Sequence, residues 1–133
     1  MAVDEEELRA ALEEYRHSPD FMFVDDLDVH KTGLSGDAVL HAAVIRRSLK
    51  HVRLFLAAGA QVNAPGDLSN TPLHCAASFD VPEIATCLIE HGANPTIRNE
   101  FGQTALEVAE LMKCKSVAKV LRKKDLRKKW RPR

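Results

Sequence analysis

Aromatic side chains are scarce in this 133-residue chain, at 5% of the total with one Trp and one Tyr. Its core must therefore be built from Leu, Ala, Val and Ile, and small-residue cores of that kind suit closely packed helices. Cysteine is also sparse. Cys75, Cys87 and Cys114 are an odd number at wide spacing with no Cys-x-x-Cys, which argues against a disulfide framework and reads as reduced thiols in a cytoplasmic protein. No long apolar run is present: residues 39–45 and 54–60 are the most apolar stretches and fall far short of a membrane span. The acidic start, Met1-Ala2-Val3-Asp4-Glu5-Glu6-Glu7, lacks the basic region and apolar stretch of a signal peptide. Asn94-Pro95-Thr96 has proline in the position that blocks glycosylation. Nor is there a Gly-rich phosphate loop, a Gly-x-Ser-x-Gly, a His-Glu-x-x-His or a calcium loop. The expectation is a chain that is not an enzyme and uses no cofactor or metal.

What is present is an ordinary globular balance, 45% apolar against 29% charged, in a length that suits one domain. The formal net charge is zero, yet it is unevenly spread. Residues 1–31 carry −7, residues 32–112 carry −3 and residues 113–133 carry +10. Asymmetry of this kind marks either an interaction tail or simply solvated end elements.

The organising feature is an internal repeat. Leu40-His41-Ala42-Ala43 aligns with Leu73-His74-Cys75-Ala76 at an offset of 33. The same offset carries Gly59-Ala60 onto Gly92-Ala93, and Thr71, Leu73 and Ala76 onto Thr104, Leu106 and Ala109. In the strongest unit, Asn70-Thr71-Pro72-Leu73-His74-Cys75-Ala76-Ala77, Thr71 can cap a helix whose first residue is Pro72. Leu73, Ala76 and Ala77 then make a narrow apolar stripe. A second helix carries Ile84, Cys87 and Leu88 inward and stops at Gly92, a residue suited to the position beyond a helix end. The offset predicts helix pairs at 38–46 and 50–58, 71–79 and 83–91, and 104–112 and 115–124.

These residues resemble the ankyrin repeat, with its Thr-Pro-Leu-His start, two antiparallel helices and Gly-Ala loop. The resemblance implies an all-α ankyrin-repeat solenoid of paired antiparallel helices with hairpin-like loops, an N-terminal capping helix and a C-terminal capping repeat. Residues 66–98 match closely, and residues 33–65 match with Ala38-Val39 in place of Thr-Pro. Residues 99–124 begin in register and then depart, with Glu107 for histidine and Asp125 for glycine. Residues 1–32 hold the capping helix, around Glu5 to Tyr15 with Leu8, Ala11 and Leu12 on one face, and an acidic loop. Only Asp28-Val29-His30 keeps register there, with Gln61-Val62-Asn63. Residues 125–133 form a basic tail. One helical pair cannot bury its own apolar face, so such units must stack.

His41 and His74 share one repeat position, and in the family that histidine bonds backbone in the hairpin region, which makes it scaffold. His74 and Cys75 are adjacent and point about 100° apart on a helix, so they form no catalytic pair. Cys87 and His91 can share a helix face, but two ligands do not make a zinc site.

The resemblance implies a protein-binding module whose partner meets the loop tips and the exposed side of the first helices. Carried over position by position, that surface is Leu34, Ser35, Asp37, Ile45 and Arg46 in the first repeat, and Asp67, Leu68, Asn70, Ser78 and Phe79 in the second. The third repeat adds Arg98, Glu100, Phe101, Gln103, Leu111 and Met112. Phe79 and Phe101, with Arg46 and Arg98 beside them, are the expected anchors. The expected partner is another protein, a toxin or an enzyme that this chain inhibits. A small stand-alone ankyrin protein resembles those that bacteria keep beside secreted toxins, where the repeats block the toxin as immunity proteins. A general adaptor is the alternative within the same class. Another reading gives residues 119–133, with nine basic residues and Trp130, to nucleic acid or another acidic surface, but nucleic acid and membrane are not the expected partners. The free chain is expected to be a monomer.

Overall fold

The computed structural model describes residues 3–123. It holds seven α-helices: α1 (Glu5–Arg16), α2 (Val39–Ile45), α3 (Leu49–Ala57), α4 (Pro72–Ser78), α5 (Pro82–Glu90), α6 (Ala105–Leu111) and α7 (Lys115–Arg122). The three pairs fall where the offset of 33 places them. The basic tail, and the last residue expected of the final helix, lie outside the described residues.

Each pair has local causes. Thr71 accepts from the His74 backbone N–H, and Pro72 occupies the first turn of α4, where a missing N–H costs no helical bond. Thr104 does the same for Glu107 at the start of α6. Ala38 has no side-chain acceptor to offer α2, so only the returning bond survives there, from the Ala38 N–H to His41 Nδ1 at 3.0 Å. The residue between paired helices takes a left-handed φ in every repeat: Arg47, Asp80 and Lys113, 33 apart, at 61°, 51° and 59°. Asp80 also turns its carboxylate to the Val117 N–H at 3.1 Å, tying the second pair to the third.

The first helices α2, α4 and α6 pack in succession, as do α3, α5 and α7 behind them. Ala43, Ala76 and Ala109 hold one position in the first row and are fully buried. A larger side chain there would push the stacked helices apart. Phe55 and Leu88 hold the matching position in the second row, also fully buried.

At the N-terminal end the stack meets α1. His51 stands where later repeats have the buried Ile84 and Val117, and its imidazole would be an awkward surface for an apolar cap. Tyr15 resolves this. Its ring packs edge-on against Phe55 at 5.3 Å while its hydroxyl lies 2.9 Å from His51 Nδ1, so burial leaves the polar atom partnered. Register also reaches further into the N-terminal segment than its residues suggest: Asp26, 33 before Gly59, shares the left-handed φ of Gly59 and Gly92.

Candidate protein-binding surface

Each repeat begins with a hairpin closed by the same backbone bond: Gly33 N to Asp37 O at 2.9 Å, Gly66 N to Asn70 O at 2.8 Å, and Asn99 N to Gln103 O at 3.0 Å. At the tip, Gly36, Ser69 and Gly102 occupy one position, all with positive φ. Two are glycine, for which that conformation is free of strain. Ser69 and the neighbouring Leu68 adopt it as ordinary L-residues in the second tip, at about 1 kcal/mol each.

The tips are joined to one another. Asp67 N donates to Asp37 Oδ1 at 2.8 Å, Glu100 N to Leu68 O at 3.0 Å, and Asn99 Nδ2 to Asn70 Oδ1 at 3.0 Å. From behind, His41 Nε2 reaches Ala64 O at 2.9 Å and Asn70 O at 3.1 Å, and His74 Nε2 reaches Gln103 O at 2.8 Å. Because Nδ1 of each ring accepts from a cap N–H, each Nε2 carries the proton and donates. Each histidine thus links the start of one repeat to the hairpin of the next, the scaffold role expected of it. Gly66 lies inside this joint: a Cβ there would stand 2.8 Å from His41 Nε2 and closer still to Asp37 Oδ1.

Glu107 takes the histidine's place in the third repeat. Its Oε1 accepts from the Thr104 N–H and hydroxyl and from Arg98. Those donors, the Thr104 backbone first, hold its carboxyl below the usual value. A carboxylate caps as well as an imidazole but has no N–H with which to reach a following hairpin.

Large apolar side chains stand out along this surface. Leu34 is 72% exposed, Phe101 67%, Leu111 66% and Met112 56%. Leu68, Phe79 and Ile45 are also exposed, less fully, with Phe79 the more covered of the two anchors expected. Ser35, Asp67 and Glu100 are exposed between them. Other expected contact residues have different duties. Asp37, Asn70 and Gln103 are half-buried and join hairpins, and Ser78 is half-buried at the end of α4. Arg46 is exposed but stacks its guanidinium 4.0 Å from the centre of the Tyr15 ring, holding α1 in place. Arg98 donates to Gly102 O at 2.6 Å and pairs with Glu107 at 3.0 Å, closing its own hairpin. Both arginines, exposed as they are, thus also brace the scaffold.

No catalytic arrangement emerges among the described residues. Cys75 is buried, and that burial, with Asp37 and Asp67 adding to it, pushes its thiol up to about 12. Burial also raises the Cys87 and Cys114 thiols, so none is poised as a thiolate. The Cys87 sulfur lies 3.9 Å from His91 Nδ1, but that nitrogen bonds the Cys87 carbonyl at 2.8 Å. No group of three or more potential metal ligands is found among the described residues, and no helix there is long and apolar enough to cross a membrane.

Sequence reasoning passed over Met22 and Phe23, 57% and 74% exposed in the turn after α1. Four consecutive apolar residues, Phe21-Met22-Phe23-Val24, gave no sign of which one faces inward. Phe21 does, at 1% exposed.

Comparison with known proteins agrees with this geometry. The chain is 45% identical to the RelA-associated inhibitor of Mus musculus over 58 residues, 44% of this chain and 7% of that protein. It is 37% identical to NF-kappa-B inhibitor alpha of Sus scrofa over 78 residues, 56% of this chain and 25% of that one. With protein phosphatase 1 regulatory subunit 27 of Homo sapiens it shares 38% identity over 74 residues, 56% of this chain and 46% of that one. The chain thus spans less than half the length of each of these relatives. The family model of ankyrin repeats in three copies matches residues 40–129. Its repeats, joined hairpins and stacked helix pairs are those of the ankyrin-repeat family, to which this chain belongs.

Proposed function

We propose that this chain is a non-enzymatic binding protein that holds a partner protein against its hairpin tips and first-helix ends and thereby blocks it. The observation that carries this reading is the row of exposed apolar side chains on hairpins fixed to one another by hydrogen bonds. Leu68 and Phe101 recur at one tip position and Phe79 and Met112 at one helix-end position, each 33 residues apart and exposed, with Leu34 and Leu111 exposed as well; a row at one repeat spacing favours a patch over scattered exposures. Bonded tips are already ordered, which lowers the entropic cost of binding. The names of the relatives, two inhibitors and a regulatory subunit, support restraint of a partner as the mode of action. Residues 99–124 act as the closing repeat in this reading, because Glu107 cannot reach onward as His41 and His74 do.

Within this reading the blocked partner is a toxin, for an immunity protein, or a cellular enzyme. Expression of the tagged chain with the product of the adjacent gene separates the two. Stable co-purification that abolishes the product's toxicity supports immunity; a different protein captured from the native cell supports an adaptor or enzyme inhibitor. With the captured partner in hand, Phe79→Ala and Phe101→Ala are each expected to weaken binding by more than about 2 kcal/mol. The melting temperature of Phe101→Ala should stay near wild type, since that ring is 67% exposed, whereas Phe79, 38% exposed, is partly packed and its variant should melt somewhat lower. Unchanged affinity in both variants would place the interface elsewhere. The free chain is expected to sediment as a monomer.

A further inference from the structure

The three hairpins share an edge that is apolar and acidic. Residues 33–37, 66–70 and 99–103 carry Asp37, Asp67 and Glu100 and no Lys or Arg. Asp67 and Glu100 hold one repeat position, and each directly precedes the exposed apolar residue of its tip, Leu68 or Phe101. Both acids are exposed. Their backbone N–H groups are bonded to the preceding tip, Asp67 N to Asp37 Oδ1 at 2.8 Å and Glu100 N to Leu68 O at 3.0 Å. Two acid–apolar pairs therefore lie on adjoining tips that are fixed to each other. Asp37 brings a third carboxylate between the first tip and the second. Asp20 brings a fourth to the first tip, accepting from Ser35 N at 2.7 Å and Ser35 Oγ at 2.8 Å. Burial raises the Cys75 thiol, and Asp37 and Asp67 add to it, so the field beneath the tips is negative as well.

The neighbouring cations are matched or stand away from this edge. Arg98, at the base of the third hairpin, donates to Gly102 O and pairs with Glu107 at 3.0 Å, so that pair adds no net charge. Lys31, before the first hairpin, places its ammonium on the Asp25 and Asp26 carbonyls. Arg46, Arg47 and Lys113 lie past the far ends of α2 and α6. Those helices are seven residues long, about 10 Å, which exceeds the screening length of about 8 Å at physiological salt. Among the described residues, Asp37, Asp67 and Glu100 take part in no ion pair. Carboxylates left uncompensated beside apolar anchors attract cations and repel anionic surfaces.

We infer that the partner segment seated on the second and third tips places Lys or Arg against Asp67 and Glu100 and a large apolar side chain against Leu68 and Phe101. This rests on the protein-binding reading above and names the chemistry of its partner. Exposed ion pairs each contribute little, so the two acids select among partners while the apolar residues hold the one selected.

The probe is a random peptide library displayed on phage and panned against the intact chain. The expected result is enrichment of peptides in which Lys or Arg adjoins a large apolar residue. Synthetic copies should bind Asp67→Asn/Glu100→Gln about five-fold or more weakly than wild type. They should also weaken on Phe101→Ala and on raising the salt. Glu83→Gln/Glu90→Gln removes the same charge from exposed positions of α5 and should bind them as wild type does. Panning against Asp67→Lys/Glu100→Lys should enrich acidic residues instead, which decides the matter should the neutral pair disturb the tips. Absence of enrichment overturns the inference, as does equal weakening by the α5 pair, which would make the attraction one of net charge alone. Selected peptides without basic residues overturn it too; if Phe101→Ala still weakens them, the tips remain the partner site. Binding that neither Phe101→Ala nor the acid pair alters would overturn both this inference and the reading of the tips as that site.

Discussion

Replacing Leu73 by Ala is expected to lower the free energy of unfolding by about 2–5 kcal/mol, measured by urea denaturation. Leu73 is 1% exposed on α4, the helix with one neighbour in the stack on each side, α2 and α6. Removing its side chain leaves a cavity between walls that the Ala43, Ala76 and Ala109 contacts already hold close, so little collapse can fill it. In a stack, stability comes from each unit and its nearest-neighbour interfaces, and α4 takes part in two of them. Leu106, 33 residues on, is only half-buried, and Leu106→Ala should cost clearly less. Equal losses at the two positions would mean that the layers are not packed as described.

His74→Ala is expected to cost about 2–4 kcal/mol at pH 8, since it strands the Thr71 N–H and the Gln103 carbonyl, each at about 1–3 kcal/mol when buried. The cost should shrink on acidification. Burial holds the His74 pKa below its usual value, only partly offset by the bond to Gln103. Geometry points the same way, because a proton on Nδ1 would face the Thr71 N–H 3.1 Å away. Below about pH 6.5 the unfolded chain therefore binds a proton that the folded chain resists. This contribution is fully present above that pH and is lost as pH falls towards the folded value. Denaturation of wild type and His74→Ala at several pH values should show their stability curves converging below about pH 6.5. A constant gap would mean that His74 titrates alike in both states. Glu107, whose carboxyl is held low, has the same sign in a more acid window and should leave the convergence unaffected.

The helix pairs were legible because a stacked repeat writes its constraints at fixed spacing. Thr71-Pro72 starts a helix, Ala43, Ala76 and Ala109 mark where helices touch, and the two histidines repeat because the joint between hairpins repeats. What was not legible lies where polar groups choose among partners. Asp37 and Asn70 occupy positions that the fold leaves unpacked, yet each braces the next tip. Arg46 is exposed as expected, but the ring it covers, Tyr15, is 31 residues away in an element without a repeat counterpart. Glu107 looked like a departure from the pattern and proved to keep half of the histidine's function. Met22 and Phe23 had no earlier repeat with which to be aligned.

The most direct test of the central claim is hydrogen–deuterium exchange of the chain alone and bound to its captured partner. Bound, amides of residues 34–37, 67–70 and 98–103 and of the ends of α2, α4 and α6 should slow, while α3, α5 and α7 stay unchanged. Protection confined to α3, α5 and α7 would show that the partner sits on the opposite side of the stack and would contradict the account.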